Sequence, residues 1–364
     1  GENNLSENGD HSVIGGGEKN VSHGSHNFIG GGTSHYAGVR SHCRPIGGGQ
    51  DNWVEGRCSV VAGGDYCEAI TNYAAVVGGN VNTAAGEYSF VCGGQQNDAD
   101  GEHSVVDGGK FNGANGDFST IGGGENNYAR DAWATVAGGL GNQARFGSTV
   151  GGGMTNYARG EVATIGGGLQ NTATGRYTTV GGGVFNAARG EAGTVAGGVG
   201  NIASTNYAAV LGGVDNTAFG EFSMVVGGHL CFAGGKYSFA AGRRAQATFP
   251  GSFVWSDTND FDFVSTNNNA FSVRCTGGAR FVTDIDGSGT PVAGVILGVG
   301  GGSWNSLSDR RMKENFADVD EVKILEKLSQ VPVTTWNLIS QDPSVRHIGP
   351  MAQDFNAAFG CGEL

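Results

Sequence analysis

Residues 116–130 read Gly-Asp-Phe-Ser-Thr-Ile-Gly-Gly-Gly-Glu-Asn-Asn-Tyr-Ala-Arg, and variants of this pattern return about every fifteen residues along most of the chain. The last glycine of the triplet recurs in sixteen segments, from Gly17 to Gly242. A short, fixed period is typical of a solenoid, in which each turn of chain buries its apolar side only against the neighbouring turns. The sequence therefore predicts a rod of stacked rungs over residues 1–242.

Aligned rungs place the same residue type in the same column. Val or Ile precedes the glycines, as at Ile121, and a small residue such as Ser119 lies two positions earlier on the same side of a short strand. Asparagine follows the glycines in ten successive rungs, from Asn82 to Asn216, and alanine usually follows two positions later. We expect these columns inside the rod, with the amides stacked as a hydrogen-bonded ladder. The turn is expected to leave no room for a β-carbon at Gly123 and to need a positive φ there.

The remaining strand positions are expected to form a column of aromatic side chains, which would leave a large apolar stripe if they were exposed. One valine, one asparagine and one alanine in each rung make a thin core, so several solenoids packed along their stripes would solve both problems. We therefore predict a homotrimer with the stripe between its chains. An aromatic surface that stacks on sugars, or an ice-like surface, is the alternative. The stripe residues are Tyr73, Tyr88, Phe118 and Trp133.

Composition excludes several classes of function. The chain has 364 residues, 70 of them glycine, and a net charge of −13, which disfavours binding to nucleic acid or to an anionic membrane because such surfaces need clustered Lys and Arg. No apolar run is long enough to span a bilayer, so membrane insertion is not predicted.

The seven cysteines are not arranged in CxxC pairs, so no metal site is predicted, and no other cofactor either. Cys43 and Cys58 should stack on successive rungs within disulfide reach. A disulfide and two parallel thiols are both consistent with that spacing. Histidines cluster in the first rungs, at His11, His26 and His35 among others, where a metal site or receptor patch competes with simple polar capping.

Two short stretches of the repeat carry a resemblance to a known family: Ser-Val-Val-Ala-Gly-Gly at 59–64 and Ala-Ala-Gly at 84–86. The repeats resemble the head region of trimeric autotransporter adhesins, whose turns run Ser-Val-Ala-Ile-Gly followed by Ala-x-Gly. The resemblance implies an all-β fold, a left-handed parallel β-roll wound as an intertwined homotrimer. The extra glycine and the asparagine column depart from the family pattern.

The regular period ends at Gly242, and two further segments follow. Residues 243–307 are predicted to form a β-rich connector, with strands over 252–256, 261–265, 271–275 and 279–283. From residue 308 the composition changes to that of a small α+β domain, with helices predicted over 321–328 and 353–359 and a strand over 331–338. The predicted domains are therefore 1–242, 243–307 and 308–364.

Two motifs in the last segment lie about forty residues apart. The first is Ser308-Asp309-x-Arg311-x-Lys313, and the second runs from His347 through Gly349 to Gln353. Together they resemble the C-terminal intramolecular chaperone of phage endosialidases, tail spikes and tail fibres. The resemblance implies a chaperone that is released by self-cleavage once a trimer has assembled. It also implies a domain that continues beyond Leu364, so an incomplete chaperone is expected.

Self-cleavage needs a nucleophile and a base. A serine hydroxyl can attack when a lysine whose pKa is lowered by burial accepts its proton. We predict that Ser308 attacks the Leu307–Ser308 peptide bond and that Lys313 is the base. The alternative is that Ser308 starts the domain as a polar cap and that Lys313 is a surface charge.

The sequence as a whole predicts an attachment fibre, either a phage or phage-like tail fibre or a bacterial surface adhesin. It would be extracellular, on a virion tail or a cell surface, and would bind two further copies of itself and a cell-surface receptor such as a glycan or an outer-membrane component. A polysaccharide-degrading tail spike is one alternative, although the rungs admit few insertions from which to build a cleft. An ice- or mineral-binding solenoid is the other, and it would use the threonine column from Thr120 to Thr194, provided that the hydroxyls point outward.

Overall fold

The computed structural model describes residues 1–7, 10–38, 43–306, 313–339 and 341–360. The chain divides into two compact units, Gly1–Thr276 and Gly277–Leu364. The first unit is a parallel β-solenoid of about 18 turns, and the second is a small α+β region. The predicted fold class is therefore confirmed for a single chain, and the trimer stays a prediction.

Each rung contributes two short strands, which pair in parallel with the equivalent strands of the rungs before and after. We call the first set the valine ladder, after its usual inward residue, and the second set the alanine ladder. Within the described residues each ladder contains eighteen strands. The valine ladder comprises Val13–Ile14, Phe28–Ile29, Pro45–Ile46, Val60–Val61, Ala75–Val76, Phe90–Val91, Val105–Val106, Thr120–Ile121, Thr135–Val136, Thr149–Val150, Thr164–Ile165, Thr179–Val180, Thr194–Val195, Ala209–Val210, Met224–His229, Phe239–Arg243, Phe253–Ser256 and Phe271–Arg274. The alanine ladder comprises Leu5–Glu7, Val21–His23, Tyr36–Ala37, Trp53–Val54, Glu68–Ala69, Thr83–Ala84, Asp98–Ala99, Gly113–Ala114, Tyr128–Ala129, Gln143–Ala144, Tyr157–Ala158, Thr172–Ala173, Ala187–Ala188, Ile202–Ala203, Thr217–Ala218, Phe232–Ala233, Ala245–Ala247 and Phe263–Val264.

The interior of the rod follows the sequence columns. In the rung at 116–130, Ser119, Ile121, Asn127 and Ala129 are all buried, and the equivalent residues of most other rungs are buried too. Side chains alternate across a strand, so even a two-residue strand separates an inward from an outward residue. A third parallel contact, made by single bridging residues on the far side of the glycine turn, completes each rung. The predicted interior is therefore confirmed.

In the glycine triplet at 122–124 the next rung obstructs a side chain at the first and last positions and not at the middle one. A β-carbon on Gly122 would lie 2.5 Å from the carbonyl oxygen of Ala137. Gly124 has a φ of +86°, and a β-carbon there would lie 2.1 Å from the carbonyl oxygen of Gly139. A β-carbon on Gly123 would have no atom within 4 Å, although its φ of +141° still favours glycine. The expectation that the turn leaves no room at Gly123 is therefore wrong, because the next rung approaches closely at the glycines on either side of it, whereas the expected positive φ at Gly123 is observed.

The asparagine column is a ladder, but its amides bond mainly to the backbone. Asn127 Nδ2 donates to the carbonyl oxygens of Gly123 and Gly139, at 2.9 Å each. Its Oδ1 accepts from the backbone N–H of Asn142 at 3.0 Å. Each amide therefore joins its own rung to the next, and these hydrogen bonds offset the cost of burying it.

The aromatic column lies in a turn and not, as the pattern suggested, in a strand. Tyr88, Phe118 and Trp133 have φ values of 58°, 57° and 59°, a left-handed conformation that costs a non-glycine residue on the order of 1 kcal/mol. The turn stacks the rings of successive rungs, with the centroids of Tyr73 and Tyr88 4.7 Å apart. This stacking offsets part of the backbone cost.

The solenoid continues past Gly242, although the regular sequence period ends there. Phe253–Ser256 and Phe271–Arg274 pair in parallel with the valine ladder, and Phe263–Val264 extends the alanine ladder. The strands predicted over 252–256, 261–265 and 271–275 are therefore the last rungs of the solenoid. Changes in the length of the turns between them, and not a change of fold, interrupt the sequence period.

A polar cluster closes the last rung. The Asp257 carboxylate accepts hydrogen bonds from the backbone N–H of Thr276 at 2.9 Å, from the Thr276 hydroxyl at 2.8 Å and from Arg274 Nε at 2.9 Å. The hydrogen bond from the Thr276 N–H is the main reason that the pKa of Asp257 lies well below its usual range. The cluster stabilises this end of the rod above the ordinary pKa of an aspartate, and that contribution is lost as the pH falls through the lowered value.

The second unit contains, in its described residues, two antiparallel sheets and two helices. Its strands are Ala279–Ile285, Pro291–Leu297 and Asn305–Ser306 in one sheet, and Thr334–Trp336 and His347–Gly349 in the other. Helix α1 spans Glu321–Ser329 and helix α2 spans Ala352–Phe359, as predicted to within one residue. Asp320 caps α1 by accepting from the Lys323 N–H. No helix of the described chain is long and apolar enough to cross a membrane.

Candidate functional site

The second chaperone motif forms one strand of the smaller C-terminal sheet. His347 pairs with Trp336 on the neighbouring strand, and their rings stack with centroids 4.6 Å apart. His347 Nε2 lies 2.8 Å from Gln341 Oε1, which fixes the far side of the imidazole. Gly349 pairs with Thr334 at the other end of the strand. The motif thus holds a histidine ring between an indole and an amide.

The predicted self-cleavage residues are only partly described. Leu307, Ser308, Asp309 and Arg311 lie outside the described residues. Lys313 is exposed in the single chain, although a lysine base calls for a buried amine. Gln353 lies in the first turn of α2 and is exposed as well. The cleavage site and the roles of these residues therefore stay predictions.

The C-terminal unit leaves most of its apolar side chains in contact with water. Val331 is its only buried apolar residue in the described part of the chain, and neither helix has a buried residue. The exposed side chains include Phe281, Ile285, Val299, Trp304, Val319, Val322, Leu325, Val333, Leu338, Ile339 and Ile348. An independent domain buries such side chains in a core of its own. This unit is therefore suited to bury them against another surface.

The aromatic stripe is a continuous exposed feature of the rod. Tyr88, His103 and Phe118 stack with centroid distances of 4.7 and 5.0 Å, and Trp133 lies 6.2 Å beyond Phe118. Phe118 is 49% exposed and Trp133 is 67% exposed. Because the ring faces contact each other, the column presents ring edges outward and does not offer the faces on which a sugar stacks. The arrangement favours an apolar partner over a glycan at this column.

The threonine column is outward and continuous. Six threonines from Thr120 to Thr194 pair through successive strands of the valine ladder. Each is half-buried or exposed. Parallel pairing repeats their hydroxyls at the strand spacing of about 4.8 Å. In a single chain this is the array that an ice- or mineral-binding surface would require.

The histidine-rich N-terminal rungs do not converge on a metal site in the residues that the structure describes. His35 is buried in the asparagine column, where its Nδ1 accepts from the backbone N–H of Asn52 at 3.2 Å, and burial lowers its pKa. His11 and His26 stack in the aromatic column, with centroids 5.1 Å apart. Arg44 is fully buried, in the column that Ser119 occupies in its own rung. Its place in that column can be predicted only if the alignment of rungs allows for the longer spacing between Gly32 and Gly49.

The predicted disulfide pair lies in the aromatic column. Cys43 is exposed and Cys58 is half-buried, and both are thiols in this structure. Their φ values of 66° and 52° place them in the same left-handed turn as the aromatic residues of later rungs. The disulfide stays a prediction.

Comparison with known proteins bears on the C-terminal segment. Residues 308–361 match the family described as the chaperone of endosialidase. The match includes both motifs on which the sequence resemblance rests. No curated protein matches the chain at a significant level. The chain thus joins a β-solenoid body to a segment similar to endosialidase chaperones, an organisation that fits a tail fibre or tail spike with an intramolecular chaperone.

Proposed function

We propose that the chain is an extracellular attachment fibre, assembled as a homotrimer under the direction of its C-terminal segment. The observation that carries the proposal is the exposed apolar surface of the C-terminal unit, in a segment similar to endosialidase chaperones. Copies that associate in a symmetric assembly bury such side chains against each other. The segment would bring three chains together and set their register before the rods pack.

The rod would hold the receptor-binding surface away from a virion tail or a cell surface. Its rungs are joined by backbone pairing and by the asparagine ladder, which connects every neighbouring pair of rungs from Asn82 to Asn216. A glycan or an outer-membrane component is the receptor class that this location suggests. The ring edges of the aromatic stripe argue that a glycan would bind elsewhere on the rod.

Purified full-length protein is expected to bind intact bacteria of a susceptible strain and to bind a subset of glycans on an array. Binding should fall when the surface polysaccharide of those cells is removed. The measurement is retention of fluorescently labelled protein across a strain panel, with heat-dissociated protein as the control. Assembled protein that is retained by no strain and by no glycan would contradict the attachment role.

Self-cleavage should divide the full-length chain at Leu307–Ser308. In this scheme Ser308 Oγ adds to the Leu307 carbonyl carbon, and its proton passes to the neutral amine Lys313 Nζ. The peptide C–N bond breaks as this proton is handed to the Ser308 nitrogen, and water hydrolyses the resulting ester to leave a carboxyl terminus at Leu307 and a free amino terminus at Ser308. Ser308→Ala and Lys313→Ala should each leave one long chain that still assembles. Mass spectrometry checks this through a new N-terminus at Ser308, and intact chains from unmodified, assembled protein would refute it.

A second candidate function rests on the threonine array. The outward hydroxyls of six successive rungs support an ice- or mineral-binding surface, provided that the rod works as a single chain. Burial of the same column between copies would remove that possibility. A protein that sediments as a single chain would therefore favour this second candidate.

A further inference from the structure

We infer that a second copy of this chain packs, parallel and in register, against the outward side of the valine ladder. This side consists of four columns: the aromatic column, the outward residue of each valine-ladder strand, the residue two positions later, and the middle glycine of each turn. We call it the seam. The inference rests on the proposed function and adds which side of the rod the copies share.

The seam is almost free of charge. Its central column is Val, Phe, Pro, Ala, Thr or Met in all eighteen described strands, from Val13 to Phe271. Between Gly15 and Leu211, the column two positions later contains a single charged residue, Asp107. Charges begin immediately outside the aromatic column, as at Glu102. Interface centres are depleted of charge in this way, whereas the solvated face of a chain with 34 acidic residues would not be.

The middle glycine column has no complete explanation within the single chain. Glycine occupies it in fifteen successive rungs, from Gly16 to Gly227. Eight of these glycines have a φ between +141° and +159°, which by itself favours glycine. At the other seven, including Gly16, Gly31 and Gly138, the backbone is outside the left-handed region, and an added β-carbon would meet nothing closer than 3.8 Å. Glycine at positions with no intrachain obstacle indicates the close approach of another backbone. The bare glycines form a groove into which a neighbouring molecule fits.

The bridging residues, which follow the glycines and line the far side of this groove, change in character along the rod. The bridging column is polar or charged as far as Glu125, and it is aliphatic in the next six rungs, from Leu140 to Val214. Met154, in the middle of this run, is 46% exposed. In these six rungs each copy therefore offers two different apolar surfaces, one on either side of the groove. A cyclic trimer needs two such surfaces, because each chain presents one surface to each neighbour.

The occupant of the seam must present the same repeat. Rungs recur about 4.8 Å apart, a spacing that another copy of the solenoid matches rung by rung and that a globular protein does not. Fifteen rungs at about 4.8 Å and a width of about 10 Å give on the order of 700 Å² for each copy, near the roughly 800 Å² for each partner of a standard interface. A second copy therefore fits the length, chemistry and area of the seam.

Two threonines form a matched pair for testing this placement. Thr164 is the outward residue of a two-residue strand on the seam, and Thr172 is the outward residue of a two-residue strand in the alanine ladder. Thr164→Glu is expected to weaken assembly by roughly a hundredfold, because each copy would bury an unpaired carboxylate. Thr172→Glu should change it by less than about threefold. Sedimentation measures assembly, and far-UV circular dichroism checks that each variant keeps its β-structure.

Gly138→Ala tests the groove with the smallest possible change. It should weaken assembly by roughly tenfold while the circular dichroism of the rod is retained. Within its own chain the added methyl group would make only an ordinary contact, 3.8 Å from the Gly123 carbonyl oxygen, so the neighbouring copy is the one that must move away. Equal assembly of the Thr164→Glu and Thr172→Glu variants, or unchanged assembly of Gly138→Ala, would overturn the seam. A parent protein that sediments as a single chain would instead overturn the proposed fibre.

Cys92 reports the register of the copies. It is exposed and lies in the seam, two positions after Phe90. A short bismaleimide should therefore join Cys92 of one copy to Cys92 of another, and Cys92→Ser should abolish the product. Peptide mapping distinguishes this link from links through other cysteines. An assembled protein in which Cys92 couples to Cys275 instead, or to no other copy, would overturn the parallel, in-register arrangement.

Discussion

Gly139→Ala is expected to prevent the rod from folding, although the change adds one methyl group. Gly139 has a φ of +93°, and a β-carbon there would lie 2.1 Å from the Gly153 carbonyl oxygen and 2.6 Å from Asn142 Nδ2. Neither neighbour can move away, because both belong to the ladders that stack the rungs. We expect a loss of at least about 4 kcal/mol in the free energy of unfolding, since a strained backbone and a steric clash act together.

The adjacent residue is the control for this experiment. Gly138→Ala makes the same chemical change one position earlier, where the nearest atom to the new β-carbon would be 3.8 Å away. It should keep the β-rich circular dichroism spectrum at low temperature, whereas Gly139→Ala should lose it or accumulate as insoluble protein. Similar spectra and solubility for the two variants would contradict the account of the turn.

Asn142→Ala is expected to lower the free energy of unfolding by about 3 kcal/mol, because it removes several buried hydrogen bonds at once. Asn142 Nδ2 donates to the carbonyl oxygens of Gly138 and Gly153, at 2.8 and 2.9 Å. Its Oδ1 accepts from the backbone N–H of Asn156 at 2.9 Å. Alanine would leave that buried N–H without an acceptor, and this is the costliest part of the change.

The neighbouring glutamine provides the matched comparison. Gln143 is the outward residue of the next strand, so Gln143→Ala should cost less than about 1 kcal/mol. Chemical denaturation of both variants, followed by circular dichroism, gives the difference. Equal midpoints for Asn142→Ala and Gln143→Ala would mean that the asparagine column contributes little to the cohesion of the rod.

The rung architecture could be predicted from the sequence because each column repeats its chemistry many times. Ile121, Asn127 and Ala129 are inside for the reasons that the period implies. The left-handed turn at Phe118 could not be predicted, since aromatic residues rarely adopt a positive φ and do so here with stacked neighbours above and below. The rungs past Gly242 could not be predicted from the period, because turns of unequal length interrupt it while the strand pairing continues.

The candidate site was predicted less completely, and the reason is physical. The motif at His347 could be identified from its residue types, and it does form an ordered strand against Trp336. Lys313, however, is exposed, and a lone chain gives it none of the burial that a lysine base requires. If several copies of the chain together bury Lys313, the sequence of one copy identifies the residue but does not show what surrounds it.

The mass of the protein in solution tests the central claim most directly. Analytical ultracentrifugation of the 364-residue chain should give three times its mass of 37.0 kDa, or three times the processed mass if cleavage has occurred and the chaperone has left. That result is expected if the apolar surfaces of the rod and of the C-terminal unit are buried between chains. A stable, folded particle of 37.0 kDa would contradict the account, because the seam and the threonine array would then face water.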